Sequence, residues 1–131
     1  VPQRVVPGMS AAMPLPPEAR ELLSLLAYVY LENNRPEKTA VVLRALQTLG
    51  LADARQLATL ALAQLRAGKA DAALSTLDLL AMQGGVDAPF HLIRAQALLA
   101  LARRDEAAAA MRAYVALRPA PASATTETET L

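Results

Sequence analysis

The chain has 131 residues, enough for one domain with a hydrophobic core but too few for two. Thirteen Lys and Arg stand against twelve Asp and Glu, and a net charge of +1 lacks the basic footprint of a nucleic-acid-binding protein. The absence of cysteine excludes disulfides and thiolate chemistry, and it suits a reducing compartment.

The hydrophobic residues favour helices. They make up 54% of the chain, yet aromatic residues account for only 3%. Much of the apolar content is alanine, which is the strongest helix former and lets helices approach closely. The composition therefore predicts an all-α fold.

The two ends of the chain differ in composition from its middle. Residues 1–17 hold five of the nine prolines, and residues 119–131 are rich in Pro, Ser and Thr. Neither segment can bury enough apolar surface to offset the entropy of ordering it. We predict disordered tails at 1–17 and 119–131 around a helical domain at 18–118. With no signal-peptide core and no long apolar run, we expect a cytoplasmic protein that does not insert into membranes.

Two helices are predicted before residue 50. Apolar residues recur at helical spacing over 22–30 and again over 42–49. A turn is expected at Asn33–Arg35, and Pro36 suits the first turn of the second helix, where its missing N–H has no role.

Four more helices are predicted from start and stop signals. Asp53 followed by Gln56 matches a capping box, and Asp87 matches an N-cap. Gly68, Gly84 and Pro119 mark helix ends. The predicted ranges are about 53–67, 70–82, 87–101 and 105–118.

Small and apolar residues recur at an interval of 34 residues. The small sites are expected where two helices cross closely, since a large side chain there would cost about 1–3 kcal/mol. One recurring set, at residues 34, 68 and 102, lies in the turn between the two helices of each repeat. The recurring sets are Ala27, Ala61 and Ala95; Thr39, Ala73 and Ala107; Leu43, Leu77 and Met111; Leu46, Leu80 and Tyr114; and Asn34, Gly68 and Ala102.

A helix–turn–helix unit with this period resembles the tetratricopeptide repeat (TPR) family. Leu60-Ala61 stands where the family has Leu-Gly, Gly68 stands at its turn Gly, and Ala73 stands at its signature Ala. Pro119 matches its closing Pro. The resemblance implies three TPR hairpins at about 20–53, 54–87 and 88–121, stacked as a short right-handed solenoid.

The polar residues give no catalytic pattern. His91 is the only histidine, so neither a His-based metal set nor a Ser-His-Asp triad can be assembled, and we expect it to be partly buried. Glu37, Asp71, Asp105 and Glu106 fall at the starts of second helices, where they favour the helix dipole. We predict that the protein is not an enzyme and has no metal site and no cofactor.

The first helices of a repeat stack line a concave groove that binds peptides. In this register the groove is mostly apolar, which suits an amphipathic or extended hydrophobic segment. The alternative is that some of these leucines belong to the core within each hairpin. Besides Ser24, the predicted partner-binding residues are Tyr28, Leu31, Ala58, Leu62, Leu65, Leu92, Gln96 and Leu99.

No polar capping helix of the kind that usually closes a solenoid is predicted after the last helix. Its apolar residues Ala110, Met111, Tyr114 and Val115 have nothing later in the sequence to cover them. We therefore add Met111 and Tyr114 to the predicted partner-binding residues, with a partner protein or a second copy as the covering surface.

Residues 25–49 and 91–118 resemble the small TPR chaperones of bacterial type III secretion, and among them the YscY group. This resemblance implies a cytoplasmic chaperone that binds a secretion-apparatus or secreted subunit of the YscX type in its apolar groove. The alternative is a self-associating scaffold that forms a homodimer without a partner. An enzyme is the third and weakest interpretation.

Overall fold

The computed structural model describes residues 15–118, which form six α-helices and no β-strand. This part of the chain is all-α, as predicted. Both predicted tails fall mainly outside it, at 1–14 and 119–131. The helices are α1 (Pro17–Glu32), α2 (Pro36–Thr48), α3 (Ala54–Arg66), α4 (Ala70–Met82), α5 (Ala88–Ala100) and α6 (Arg104–Leu117).

The helix boundaries recur at the interval found in the sequence. Helices α2, α4 and α6 begin at residues 36, 70 and 104, and α3 and α5 begin at 54 and 88. The turn inside each helix pair holds one residue with positive φ, which is +60° at Asn34, +81° at Gly68 and +61° at Ala102. Helix α1 is longer than its counterparts because it begins at Pro17, one residue before the predicted domain start.

The predicted helix starts are confirmed. The Asp53 side chain accepts a hydrogen bond from the Gln56 backbone N–H at 2.8 Å, and the Asp53 N–H donates to Gln56 Oε1 at 3.0 Å. The Asp87 side chain accepts from the Phe90 N–H at 3.0 Å. Pro36 is the first residue of α2. Because these contacts are local, the sequence alone could predict them.

The two helices of each pair cross at the small residues. Ala27 and Thr39 in the first pair are fully buried, as are Ala61 and Ala73 in the second. The Thr39 hydroxyl donates to the Ala27 carbonyl at 3.0 Å, so the α1 and α2 backbones approach closely there. The predicted close approach at the small sites is therefore confirmed for the first pair, and the small sites of the other two pairs are buried as well.

One hydrophobic core continues through successive helix pairs. Each helix packs against the next one in the chain, and α3 also packs against α5. Smaller alanine-rich clusters join α5 to α6 and α4 to α5. The core residues supplied by α2 to α5 are Leu43, Leu46, Leu57, Leu60, Ala61, Leu77, Leu80, Phe90 and Ile93.

None of the six helices combines the length and the apolar content needed to cross a membrane.

Candidate functional site

The predicted groove residues lie at matching positions on α1, α3 and α5, and we call them the first-helix face. Tyr28 is 55% exposed and Leu99 is 62% exposed, and Gln96 is also exposed. These three side chains are the most accessible members. The half-buried members are Ser24, Leu31, Ala58, Leu62, Leu65 and Leu92.

The middle helix contributes the least exposed part of this face. Ala58, Leu62 and Leu65 on α3 all pack against the continuous core. Each therefore supports the fold with part of its surface and presents the rest to solvent. The exposed apolar side chains of the face lie on α1 and α5.

A cleft of about 810 Å³ lies between α1 and α3. Helices α3 and α5 pack directly against each other, whereas α1 and α3 make little direct contact. The gap is bridged by a hydrogen bond from the Gln56 side-chain amide to the Ser24 hydroxyl. The cleft is therefore open between the first two helix pairs, whereas the first helices of the second and third pairs pack together.

The cleft walls mix charged, polar and apolar groups. Arg20 and Glu21 line it from α1, and Asp53 and Arg55 line it from the start of α3. Such a lining suits a polypeptide segment that brings both apolar and hydrogen-bonding groups. The remaining lining residues are Pro17, Ser24, Leu25, Ala27, Tyr28, Leu43, Leu51, Gln56 and Thr59.

Tyr28 and Ser24 are the two residues of the predicted groove that line this cleft. Hydrogen bonding with Glu32, assisted by the negative charge of that carboxylate, raises the pKa of the Tyr28 phenol above its ordinary value. The phenol is therefore protonated at neutral pH and keeps both an apolar ring and a polar tip for contact with a ligand.

Most of the cleft was missed by sequence reasoning. The repeat register gave no indication of Arg20, Glu21 or Thr59. Their positions depend on how far α1 stands from α3, and no periodic pattern encodes that separation. Several predicted partner-binding residues of the first-helix face do not line the cleft, namely Leu31, Leu62, Leu65, Leu92, Gln96 and Leu99.

Helix α6 carries the other predicted contact residues. Met111 is 40% exposed and Tyr114 is half-buried, and Val115 is exposed. Ala110 differs from the prediction, since it is buried against α5 in a cluster with Ala95 and Leu98. The apolar surface of α6 is thus narrower than expected.

The metal-ligating residue types are not clustered in the part of the chain that the structure describes. Within residues 15–118, no group of three His, Cys, Asp or Glu side chains could hold a metal ion. His91 is half-buried, as expected, with its ring edge-on to Phe90 at a centroid distance of 5.2 Å.

The acidic residues predicted at second-helix starts are found in the first turns of α2, α4 and α6. Glu106 also accepts hydrogen bonds from the Arg103 guanidinium at 2.7 and 2.9 Å. That pairing lowers the pKa of the Glu106 carboxyl. Because both side chains are about half exposed, the pair is a surface feature of the third helix pair.

The sequence matches no known family model, and no curated protein sequence is significantly similar to it.

Proposed function

We propose that this protein is a TPR-type repeat protein whose three helix pairs stack as a right-handed solenoid and bind a partner polypeptide. Two observations support the repeat assignment. The helix boundaries and the positive-φ turn residues recur every 34 residues, and small residues are buried at the crossing of each helix pair. This period and these small sites are typical of the family.

The observation that carries the binding proposal is the first-helix face, which presents the large side chains of Tyr28 on α1 and Leu99 on α5 to solvent. Tyr28 and Leu99 are more than half exposed although both are apolar or aromatic residues on regular helices. A contiguous exposed apolar patch rimmed by polar residues marks a protein interaction surface, and we propose that Tyr28, Leu99 and the half-buried leucines of α3 form one. The partner segment contacts both residues and enters the cleft beside Tyr28.

The nature of the partner follows from the surface. Its apolar side chains contact Tyr28, Leu31 and Leu99, and its polar groups reach the charged residues of the cleft. An amphipathic segment meets both requirements. In the narrower form of the proposal, taken from the resemblance to YscY-like chaperones, the partner is a type III secretion subunit kept soluble in the cytoplasm.

The test is co-purification from the native cells with a variant that changes only exposed residues. The Tyr28→Ala, Leu99→Glu double variant should lose a partner that the wild type retains, because both contacts are removed. Val41→Glu is the matched control, since Val41 is exposed on α2 and lies outside the first-helix face. Circular dichroism should show equal helical content for all three proteins.

Two outcomes would contradict the proposal. Equal recovery of the partner by the wild type and the double variant would exclude the first-helix face. Equal secretion in cells with and without the gene would exclude the chaperone role while leaving peptide binding to be judged by the first result.

A further inference from the structure

Helix α1 carries an exposed apolar stripe at positions where α3 and α5 have buried apolar residues or the half-buried polar residues Gln56, Thr59 and Arg94. Four exposed side chains follow one another at helical spacing, and we call them the α1 stripe. Val29 is 43% exposed, whereas Ala63 and Ala97 at the equivalent positions of α3 and α5 are fully buried. The α1 stripe consists of Leu22, Leu25, Leu26 and Val29.

The difference arises from the preceding helix pair. Helix α2 packs against α3, and α4 packs against α5, so Leu60 and Phe90 at positions equivalent to the stripe are buried in the continuous core. Within residues 15–118 no helix precedes α1. The α1 stripe is therefore an inter-pair surface without its partner helix.

Helix α6 shows the complementary situation at the other end. Met111 is 40% exposed, whereas Leu43 and Leu77 at the equivalent positions of α2 and α4 are 2% and 1% exposed. The helix that covers those leucines, α3 or α5, has no counterpart after α6 among the described residues. We call the apolar side of this helix the α6 stripe, which consists of the exposed residues Ala108, Met111 and Val115 and the half-buried Tyr114.

We infer that the α6 stripe of one molecule packs against the α1 stripe of a second copy. This contact repeats, between molecules, the α2–α3 and α4–α5 interfaces that already join the helix pairs within the chain. Each stripe is thus covered by the stripe of the second copy, as a second helix and the next first helix cover each other within the chain. The stack of helix pairs then continues from one molecule into the next.

Charge favours this head-to-tail arrangement over a twofold dimer. Helix α1 has three carboxylates and one arginine, a net charge of −2. Helix α6 has two arginines and two carboxylates, a net charge of 0, and Arg103 and Arg118 flank it. A twofold contact through α1 would bring two helices of net charge −2 together, whereas the head-to-tail contact places α1 against a helix without net negative charge that is flanked by arginines.

The contact is heterologous and leaves one free stripe at each end of any assembly. Association should therefore continue beyond a dimer as concentration rises. Leu25 of the α1 stripe also lines the cleft, but the other α1 stripe residues and the α6 stripe do not. Of the two stripes, only Met111 and Tyr114 belong to the proposed partner-binding residues. Self-association and binding at the first-helix face can thus be tested separately.

The experiment uses two full-length variants and sedimentation equilibrium over a wide concentration range. Leu22→Lys with Val29→Lys disables the α1 stripe, and Met111→Glu with Val115→Glu disables the α6 stripe. All four side chains are at least 40% exposed, so the helices should be retained. Val41→Lys is the control, because residues 41, 75 and 109 are exposed in all three helix pairs.

The wild type and the control should show masses that rise past the dimer with concentration. Each double variant alone should remain a monomer, whereas an equimolar mixture should form a heterodimer and nothing larger, because one intact stripe of each kind remains. Formation of that heterodimer would also show that both variants are folded. A monomeric wild type, or a single variant that still dimerises, would overturn the head-to-tail contact.

Discussion

Helices α4 and α6 occupy the same place in the repeat but differ in what covers them. Leu77 and Leu80 on α4 are buried by α5, whereas Met111 and Tyr114 on α6 retain exposed surface. The local patterns of the two helices are alike, so the difference comes from the next helix pair. Burial in a repeat stack is a property of the interface between units, and the end units show what each interface leaves open.

The largest change in the free energy of unfolding is expected from a substitution in the buried part of α4. Leu77→Ala should lower the free energy of unfolding by about 2–5 kcal/mol, because it leaves a cavity in the continuous core. Met111→Ala at the equivalent position should change it by less than about 1 kcal/mol, since the side chain is partly exposed. Urea unfolding at low protein concentration measures both. Equal losses would show that α6 is covered in solution.

A second comparison contrasts the middle helix pair with the third. The Thr76 hydroxyl donates to Gln64 Oε1 at 2.6 Å, and both residues are buried. The equivalent positions in the third pair hold Leu98 and Ala110, which are apolar and buried. The middle pair thus places a polar contact where its neighbour has hydrocarbon packing.

We expect Thr76→Val to lower the free energy of unfolding by about 1–3 kcal/mol, because the buried Gln64 carbonyl oxygen loses its donor. Adding Gln64→Leu should recover part of that loss, since both polar partners are then removed. Thermal and urea unfolding of the two variants provide the measurement. A double variant less stable than Thr76→Val would mean that the Gln64 amide has a structural role of its own.

The smallest expected effect concerns the turns within the helix pairs. Gly68 and Ala102 are equivalent and both have positive φ. A Cβ added at Gly68 would meet no atom within 4 Å, so only backbone strain is at issue. Gly68→Ala should destabilise the protein and Ala102→Gly should stabilise it, each by about 1 kcal/mol. Urea midpoints moving in the same direction would contradict this account.

Much of the fold could be predicted because its determinants are local. The capping residues Asp53 and Asp87, the turn at Gly68 and the small residues at the helix crossings are set by hydrogen bonding and sterics between near neighbours in sequence. The 34-residue interval extends these local rules along the chain. The first-helix face could be placed on the helices for the same reason.

The accessible surface could not be predicted in the same way. The sequence alone determined the helices, their period and the residues that share a face, since these follow from backbone geometry and short-range contacts. Packing within and between helix pairs determined that Leu62 and Leu65 are half-buried, that a partly charged cleft separates α1 from α3, and that Ala110 is covered whereas Met111 is not. These outcomes depend on the distance between separate helices, and no local pattern specifies that distance.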